Sequence, residues 1–529
     1  MSNITYRKSI KQDIPAINDL FIEMIKIVNK RMIREGIEPY LDYEKGYEEG
    51  YLDSFYINDD KVIYVALDDD EVIGFISIIN NKELGYIYID DYCVKDNYRG
   101  QGIGSKLINI SFDFAKDKGY DQIFTHVEKA NKESIDFYWH KGFKMVQEQD
   151  NRLLIRKVSN HLSKEKQNHL FSYNNNIINK IMEKIKFEYP DSVDMIAVAG
   201  SFCSQLFHEK SDLDLLIIAN NNIDSLSICF ILDGIGQDIH YKYWKELEHM
   251  SDYNNMFVTK LKDLNIVYYR NNDVLEKYKQ LQDKLNKNMD NDIRNNKTIN
   301  KYLTSIIEKK NSIKAINNLN DCYKIVGSIM NDIENILFIN NKQYLFGGTK
   351  NILTEITFMP NKPEDFIEEY KKILDLTNIK DIKKWVNNIV KIVLTYFNKE
   401  DNNIDTYNNS DNNLKKIDIT KEDLIGTYEE LYSNYYNKLL YASKINNKYL
   451  SFRTMIDAQI FFDEFTSKFN IPDFNLIEKY NPKDLKSNIN EYKKLLSEWK
   501  KLYDKFQIDI EEYKSIEDLY SDNIARKLL

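Results

Sequence analysis

The sequence predicts a multidomain protein in which two α/β units precede all-α segments, and three observations carry that expectation. A strand-like run ending at Val94 feeds the glycine-rich segment Tyr98-Arg99-Gly100-Gln101-Gly102-Ile103-Gly104, after which a helical period resumes. Further along, an apolar run leads to Gly200-Ser201, and Asp212-Leu213-Asp214 opens a second apolar run. From Asn286 onward alternating patterns give way to helical spacing. With 529 residues the chain exceeds one hydrophobic core. The composition shifts divide it at 1–157, 165–285, 286–398 and 415–529.

The elements follow in order. Ile14-Pro15 opens an amphipathic helix with Ile17, Leu20, Phe21, Met24, Ile25 and Ile27 at helical spacing. Val62–Ala66 and Val72–Ile78 read as a hairpin around the turn Asp68–Glu71, and Tyr86–Val94 as a third strand. Ile103–Ala115 is helical. His161–His169 is polar and reads as a joint, and the helix Ile177–Phe187 stops where Pro190 blocks continuation. Val193–Val198 is a buried-type strand, and a further strand runs from the Asp pair to Ile218. Helices are expected over Ile299–Ile307, Ile313–Phe338, Phe366–Leu376, Ile382–Phe397, Leu424–Phe469 and Leu485–Phe506, with Tyr344–Gly348 as a loop. The segment Asp401–Asn413 is rich in Asn and Asp and reads as a linker. Tyr428, Leu431, Tyr435 and Leu439, then Ile456, Ile460, Phe461 and Phe465, form a core stripe.

Charge and composition narrow the function. A net charge of −10 argues against a general nucleic-acid binder and suits a cationic partner. The four cysteines are far apart, without metal-ligand spacing to the seven histidines, which argues against zinc and a disulfide framework. No apolar stretch is long enough for a membrane span, and a reduced, cytoplasmic setting is expected.

The order strand, glycine loop, helix suits anion binding. Glycines let the backbone approach phosphates, and the first helical turn points unpaired N–H groups at them. Gln101 to Ser105 are the expected donors. The spacing Arg99-x-x-Gly102-x-Gly104, with Tyr92-Cys93-Val94 before it, resembles motif A of the GNAT acetyltransferase superfamily, and Asn131 through Tyr138 to Gly142-Phe143 looks like its motif B. The resemblance implies a GNAT α/β fold and an acetyl-coenzyme A site formed by Val94, Arg99, Gly100, Gln101, Gly102, Ile103, Gly104, Ser105 and Asn131. It also implies an amine that attacks the thioester directly. Tyr138 stands where the family's tyrosine protonates the departing thiolate; a packing role against Phe137 or Phe143 is the alternative. Asp90 and Asp91 are candidates to take the amine proton through a water. Alternation sets them on opposite faces, so one at most is expected to face the acceptor. Glu38, Asp42, Glu44, Glu48, Glu49 and Asp53, interleaved with Tyr40, Tyr43, Tyr47 and Tyr51, suit a polyamine or amino sugar or else form a solvated helix face.

Asp212 and Asp214, two apart on an expected strand, share a face, and such paired carboxylates favour a divalent cation, Mg²⁺ above all. With Gly200-Ser201 upstream the pattern resembles the DNA polymerase β-type nucleotidyltransferases, which have a mixed-sheet α/β fold. The resemblance implies that Gly200 and Ser201 hold the phosphates of a nucleoside triphosphate, ATP or GTP, and that Asp212, Asp214 and a third carboxylate bind metal. Asp238 matches that third position best, with Asp233 as the fallback. The helical remainder is loosely similar to the acceptor-binding domain of kanamycin-type enzymes, where Glu334 or Asp321 could supply a base; Gln459, Asp463 and Glu464 are further polar candidates. The expectation is a bifunctional transferase that acetylates an amine and nucleotidylates a hydroxyl of a small cationic compound such as an aminoglycoside-like antibiotic. The alternatives are an acetyltransferase with a silent nucleotide-binding module, and a modifier of a protein or a tRNA. Oligomeric state is not readable.

Overall fold

The computed structural model describes residues 4–220, 228–401 and 416–521; the side chains of Asp238 and His240 lie outside the described residues. The chain separates into two compact units, Met1–Ser163 and Lys164–Leu529. The expected segments 165–285, 286–398 and 415–529 thus all fall within the second.

The first unit runs β1 (Ile4–Lys8), α1 (Ile14–Arg34), α2 (Ser54–Ile57), β2 (Lys61–Asp68), β3 (Glu71–Asn81), β4 (Tyr86–Val94), α3 (Ile103–Asp117), β5 (Gln122–Glu128), α4 (Lys132–His140), β6 (Lys144–Gln149) and β7 (Arg152–Val158). Its seven strands are ordered β1-β2-β3-β4-β5-β7-β6. Both faces are apolar because successive residues of a strand feed opposite cores. On β2, Val62 and Ala66 join one core with Leu107, Ile108 and Tyr138, while Ile63, Val65 and Leu67 join the other with Ile17, Leu20 and Phe21.

Two irregularities of β4 create the site. Its parallel pairing with β5 covers only Tyr86–Tyr88 against Gln122–Phe124. The stretch from Ile89 to Val94 has therefore parted from its neighbour, leaving a wedge between the strands. Against β3, Ile76 pairs with Tyr92 but Ile78 pairs with Ile89, so Asp90 and Asp91 together stand opposite Ser77. This is a β-bulge, and it breaks the alternation of the strand. Ser77 pins it, accepting from the Asp91 amide at 2.9 Å through Oγ.

The second unit begins with α4's successor, α5 (Lys164–Glu188), so most of the polar joint His161–His169 is helix. There follow β8 (Val193–Val198), α6 (Gly200–Ser204), β9 (Leu215–Ala219), β10 (Ile228–Leu232), β11 (Ile235–Tyr243), α7 (Trp244–Ser251), α8 (Thr259–Lys262) and β12 (Asn265–Tyr269). The helical run is α9 (Asn272–Met289), α10 (Asp292–Ser312), α11 (Leu319–Asn340), α12 (Ile352–Phe358), α13 (Phe366–Lys371), α14 (Ile379–Tyr396), α15 (Lys421–Leu424), α16 (Thr427–Leu431), α17 (Asn437–Lys444), α18 (Lys448–Lys468) and α19 (Leu485–Phe506). A strand, β13 (Glu512–Tyr513), closes the sheet, whose order is β12-β8-β9-β11-β10-β13. The sheet is mixed: β9 with β11 and β10 with β13 are parallel, the other pairs antiparallel.

Several expectations change here. The helix read over Ile313–Phe338 is broken, because Asn318 caps α11 by accepting from the Asp321 amide. A strand occurs after Asn286: β13 pairs with β10, held by the Glu429 carboxylate, which accepts from the Glu511 amide and the Tyr503 hydroxyl. Ile460 is 39% exposed, although Ile456, Leu431 and Leu439 are buried as a stripe. The linker read over Asp401–Asn413 lies, from residue 402, outside the described residues. No helix among the described residues is long and apolar enough to cross a membrane, and all four cysteines are free thiols.

Candidate active sites

In the first unit a groove of about 370 Å³ lies along the parted end of β4 and the glycine loop. Gly100 and Gly102 have φ of +77° and +81°, a region that disfavours side chains, and Gly102 caps α3 in that conformation. A Cβ on Gly104 would stand 1.9 Å from the Tyr92 hydroxyl. The groove is lined by Val94, Arg99, Gly100, Gly102, Gly104, Ser105 and Asn131, all named from sequence. Gln101 and Ile103 are not on its wall. The Gln101 side chain is exposed and donates back to the Asn97 carbonyl, and Ile103 is 1% exposed in the core, so only their backbone groups can serve a ligand. Arg99 is held against the Val94 carbonyl at 3.2 Å. Arg31, unremarked in the sequence, donates to Asn131 and to Glu133 and lines the groove with them.

A cleft of about 490 Å³ adjoins the groove, and Met24, Val28, Tyr92, Asn131 and Ser134 line both. The bulge turns both Asp90 and Asp91 into this cleft, which overturns the expectation that only one could face it. Tyr47 donates to Asp91 at 2.7 Å, and Tyr51 donates to Asp90. The tyrosines are stacked, Phe21 on Tyr47 at 3.9 Å and Tyr47 on Tyr51 at 5.3 Å. Burial, and then the Asp90 carboxylate beside it, pushes the Asp91 carboxyl up to about 7. Burial raises Asp90 and Glu128 as well. His126 is pushed down to about 4 by burial and by the Arg152 guanidinium. Of the six acidic residues read from Glu38 to Asp53 only Glu48 lines the cleft, whereas Tyr40, Tyr43, Tyr47 and Tyr51 all do. Glu44 instead accepts from Asn29 at 2.8 Å. Tyr138 is buried and packed edge-on against Phe143 at 5.0 Å; it lines the cleft but not the groove.

In the second unit, Asp212 and Asp214 lie just before β9 rather than on it, with Leu213 buried between two half-exposed carboxylates. Two contacts fix this segment. The Leu213 amide donates to Gln237 Oε1 at 2.9 Å, and the Asp214 carbonyl accepts from the Ala199 amide at 2.9 Å. Gly200 has φ of +62°, and a Cβ there would stand 1.7 Å from Asp214 Oδ2, so no other residue fits beside that carboxylate. The Ser201 hydroxyl is buried without a hydrogen-bond partner among the described residues. Lys260 of α8 stands 4.0 Å from Asp214. Asp238 lies on β11, which pairs in parallel with β9 from His240 against Leu216; two residues back, that register sets Asp238 level with Asp214. Asp233 is at the exposed turn between β10 and β11. Among the described residues no group of three or more acidic, His or Cys side chains could hold a metal.

The helical candidates are structural. Glu334 is fully buried, accepting from Tyr370 at 2.7 Å and from Tyr449, with Arg453 at 3.5 Å. Asp321 sits in the first turn of α11 with Asn318 and Lys324. The Gln459 amide is spent on the Phe474 carbonyl, Asp463 and the Leu476 amide, and Asp463 also meets Lys324. Nothing in the structure gives Glu464 a site role; its carbonyl accepts from Ser467.

Residues 29–143 match the model of the Acetyltransferase (GNAT) family, and residues 178–314 match that of the nucleotidyltransferase domain. N-alpha-acetyltransferase 30 of Schizosaccharomyces pombe is 35% identical over 83 residues, 15% of this chain and 55% of that protein. Streptothricin acetyltransferase A of Bacillus subtilis is 28% identical over 97 residues, 18% of this chain and 56% of that protein. The chain thus spans little more than half of either relative. The PaiA N-acetyltransferase of Thermoplasma acidophilum, solved with coenzyme A, aligns at 21% identity over 30% of this chain and 99% of its own, with a TM-score of 0.26. The chain thus carries a match to the GNAT acetyltransferase family followed by a match to the nucleotidyltransferase domain.

Proposed function

We propose that the first unit moves an acetyl group from acetyl-CoA to an amine and that the second moves a nucleotidyl group from a Mg²⁺-bound ATP or GTP to a hydroxyl. The acceptors are small cationic compounds carrying both groups, such as aminoglycoside-like antibiotics, modified in the cytoplasm. The observation that carries the reading is the cleft in which Glu48, Asp90, Asp91 and Glu128 face a ladder of tyrosines and open onto the glycine-loop groove. Carboxylates and ring faces together select an amine-bearing cation. The similarity to a streptothricin acetyltransferase points the same way.

The groove fits the donor, since positive-φ glycines bring N–H groups of the α3 start to the surface where pyrophosphate is expected. Asp91, the more strongly raised carboxylate, accepts the amine proton, while Asp90, held by Tyr51, keeps negative charge near the cation. In the second unit the Gly200 notch and the unpartnered Ser201 hydroxyl fit triphosphate oxygens, and Asp212, Asp214 and Asp238 would hold the metal. Bound there, Mg²⁺ supplies polarisation of the phosphate under attack. Gln237 keeps the two aspartates in place by binding the amide between them.

A second reading, a nucleotide-binding module without turnover, draws on Lys260 beside Asp214, a cation where metal would bind. Incubation of the full chain with aminoglycosides and streptothricin-type amines, with acetyl-CoA or with ATP or GTP and Mg²⁺, followed by mass spectrometry, tests both. Acetyl and nucleotidyl mass shifts are expected; an acetyl shift alone, with Mg²⁺-dependent nucleotide binding, would favour the silent module.

A further inference from the structure

Three arginines line the groove and the cleft of the first unit, and two of them are already paired. Arg31 meets Glu133 at 2.8 Å and Arg99 meets Asp96 at 3.3 Å, both on the groove. Arg152 lines the cleft on the far side of their junction, the one cationic side chain of its wall among the described residues. His126 adds no charge at neutral pH, since burial pushes it down to about 4. Arg152 opens β7 and stands directly opposite Glu128 of β5 in the antiparallel register. Side chains so placed reach each other, and an ion pair between them would be the ordinary outcome. None forms: among the described residues the exposed Arg152 guanidinium has neither an ion pair nor a hydrogen bond. The cleft is therefore electrically two-sided. Asp90 and Asp91, held by Tyr51 and Tyr47, give its β4 wall negative charge, and Arg152 gives the β5–β7 wall an unspent positive one. A simple polyamine satisfies only the first wall, and its second ammonium would meet the guanidinium. An amine that carries a carboxylate satisfies both, because the planar fork of arginine matches a carboxylate with two parallel hydrogen bonds. Glu128 opposite makes a monoanion a better guest there than a dianionic phosphate.

We propose that Arg152 binds a carboxylate of the acceptor, so that the first unit acetylates an amine of a compound that also carries a carboxylate, as a diamino acid does. The inference rests on the acetyltransferase reading and narrows its acceptor. In the transfer the amine nitrogen bonds to the acetyl carbon, the carbon–sulfur bond breaks and the electron pair leaves with sulfur. The proton lost by nitrogen passes to Asp91, and the sulfur takes one up from solvent. Arg152 takes part in none of these bond changes: it fixes the far end of the acceptor and thereby decides which compound, and which of its amines, comes to the thioester.

The test gives the full chain acetyl-CoA and two pairs of acceptors that differ by a carboxylate alone: lysine against 1,5-diaminopentane, and ornithine against 1,4-diaminobutane. Release of the coenzyme A thiol is followed. The parent should favour the carboxylate-bearing member of each pair about tenfold in kcat/KM, with the difference in KM. Arg152→Gln should melt as the parent does, because the guanidinium has no partner to lose. It should lower kcat/KM for the amino acids and raise it for the diamines, so that the preference is lost. Arg152→Lys keeps the charge without the fork and should give a preference between the two. An arginine that only supports the strand would lower both members of a pair alike. Members that turn over too slowly are read as inhibitors of the best aminoglycoside acceptor, and the same ratio is expected. Acetylation with no preference for the carboxylate, or with a preference that survives Arg152→Gln, overturns the inference and leaves the acetyltransferase reading standing. Acetylation of none of these amines and of no aminoglycoside would bring down both.

Discussion

Each unit of this chain carries a close pair of aspartates, and the two pairs are built in opposite ways. Asp90 and Asp91 are adjacent in sequence, sunk into a cleft and capped by tyrosine hydroxyls that donate to them. Asp212 and Asp214 are separated by Leu213, half-exposed, and face a notch that Gly200 alone can form. Burial lifts the proton affinity of the first pair despite the Lys61 ammonium that acts on Asp90, which suits the taking of a proton. Exposure beside Gly200, where a Cβ would meet the Asp214 carboxylate, suits the second pair to hold a cation. Two carboxylates side by side are thus not one motif. Their depth and the donors around them decide whether they handle a proton or a metal.

The sharpest way to break this contrast is to remove charge from one pair and read both activities. Asp212→Asn with Asp214→Asn should abolish nucleotidyl transfer, a loss of at least about a thousandfold, while acetylation of the same compounds continues within about twofold. Liquid chromatography with mass detection on a single reaction mixture measures both. A parallel fall in acetylation would mean that the units are not independent centres.

Asp91→Asn should cost acetylation about a hundredfold and leave nucleotidyl transfer alone. It also has a pH signature. With its carboxyl at about 7, Asp91 must lose a proton to act, so kcat/KM for acetylation should rise through neutral pH in the parent, and that limb should vanish in the variant. The stability effect runs the other way. A carboxyl whose folded value is raised favours the folded state when protonated, so its contribution is fully present below the ordinary carboxylate range and lost as pH climbs through about 7. Thermal melts of the parent should therefore decline over that window more than those of Asp91→Asn.

Gly104→Ala tests the crowding at the junction. The added methyl would meet the Tyr92 hydroxyl at 1.9 Å and Cζ at 3.2 Å, so the tyrosine must move. Acetyl-CoA affinity, measured by isothermal titration, should fall about tenfold, equivalent to about 1.4 kcal/mol. Adding Tyr92→Phe removes the closest clash and should restore part of the affinity. Equal affinities of the single and double variants would show that the loop, not the tyrosine, carries the loss.

Local order was readable in the sequence because it is written in short-range chemistry. β4 runs over Tyr86–Val94, as alternation and the following glycines indicate, and Gly102 and Gly104 line the groove because no side chain tolerates their geometry. The same holds for Gly200 beside Asp214. What was not readable depends on partners distant in the chain. The bulge at Asp90-Asp91 arises from the register against Ser77, and a period of two cannot reveal an extra residue. Tyr92 looks like any strand aromatic until Gly104 and the opening of β4 from β5 are placed around it. β13 is two residues long and carries no periodic signal; its place follows from β10 and Glu429. Glu334 reads as a helix-surface acid until Tyr370, Tyr449 and Arg453 close over it, each from another turn or helix.

His126 gives the mildest test, and it separates the proton-handling role of Asp91 from that of another titratable group in the cleft. The imidazole lies between the Tyr88 hydroxyl, 2.8 Å from Nδ1, and Gln149 Oε1, 3.0 Å from Nε2. Burial and Arg152 push its pKa down to about 4, so the ring is neutral over the range in which Asp91 titrates. A neutral ring bridging two polar neighbours orients the wall of the cleft but carries no charge change near pH 7. His126→Gln should therefore alter the amine KM by no more than about threefold and leave the midpoint of the kcat/KM limb unmoved. If the limb moved with His126→Gln and stayed with Asp91→Asn, the proton acceptor of the first unit would be the imidazole, and the contrast between the two aspartate pairs would lose its chemical half.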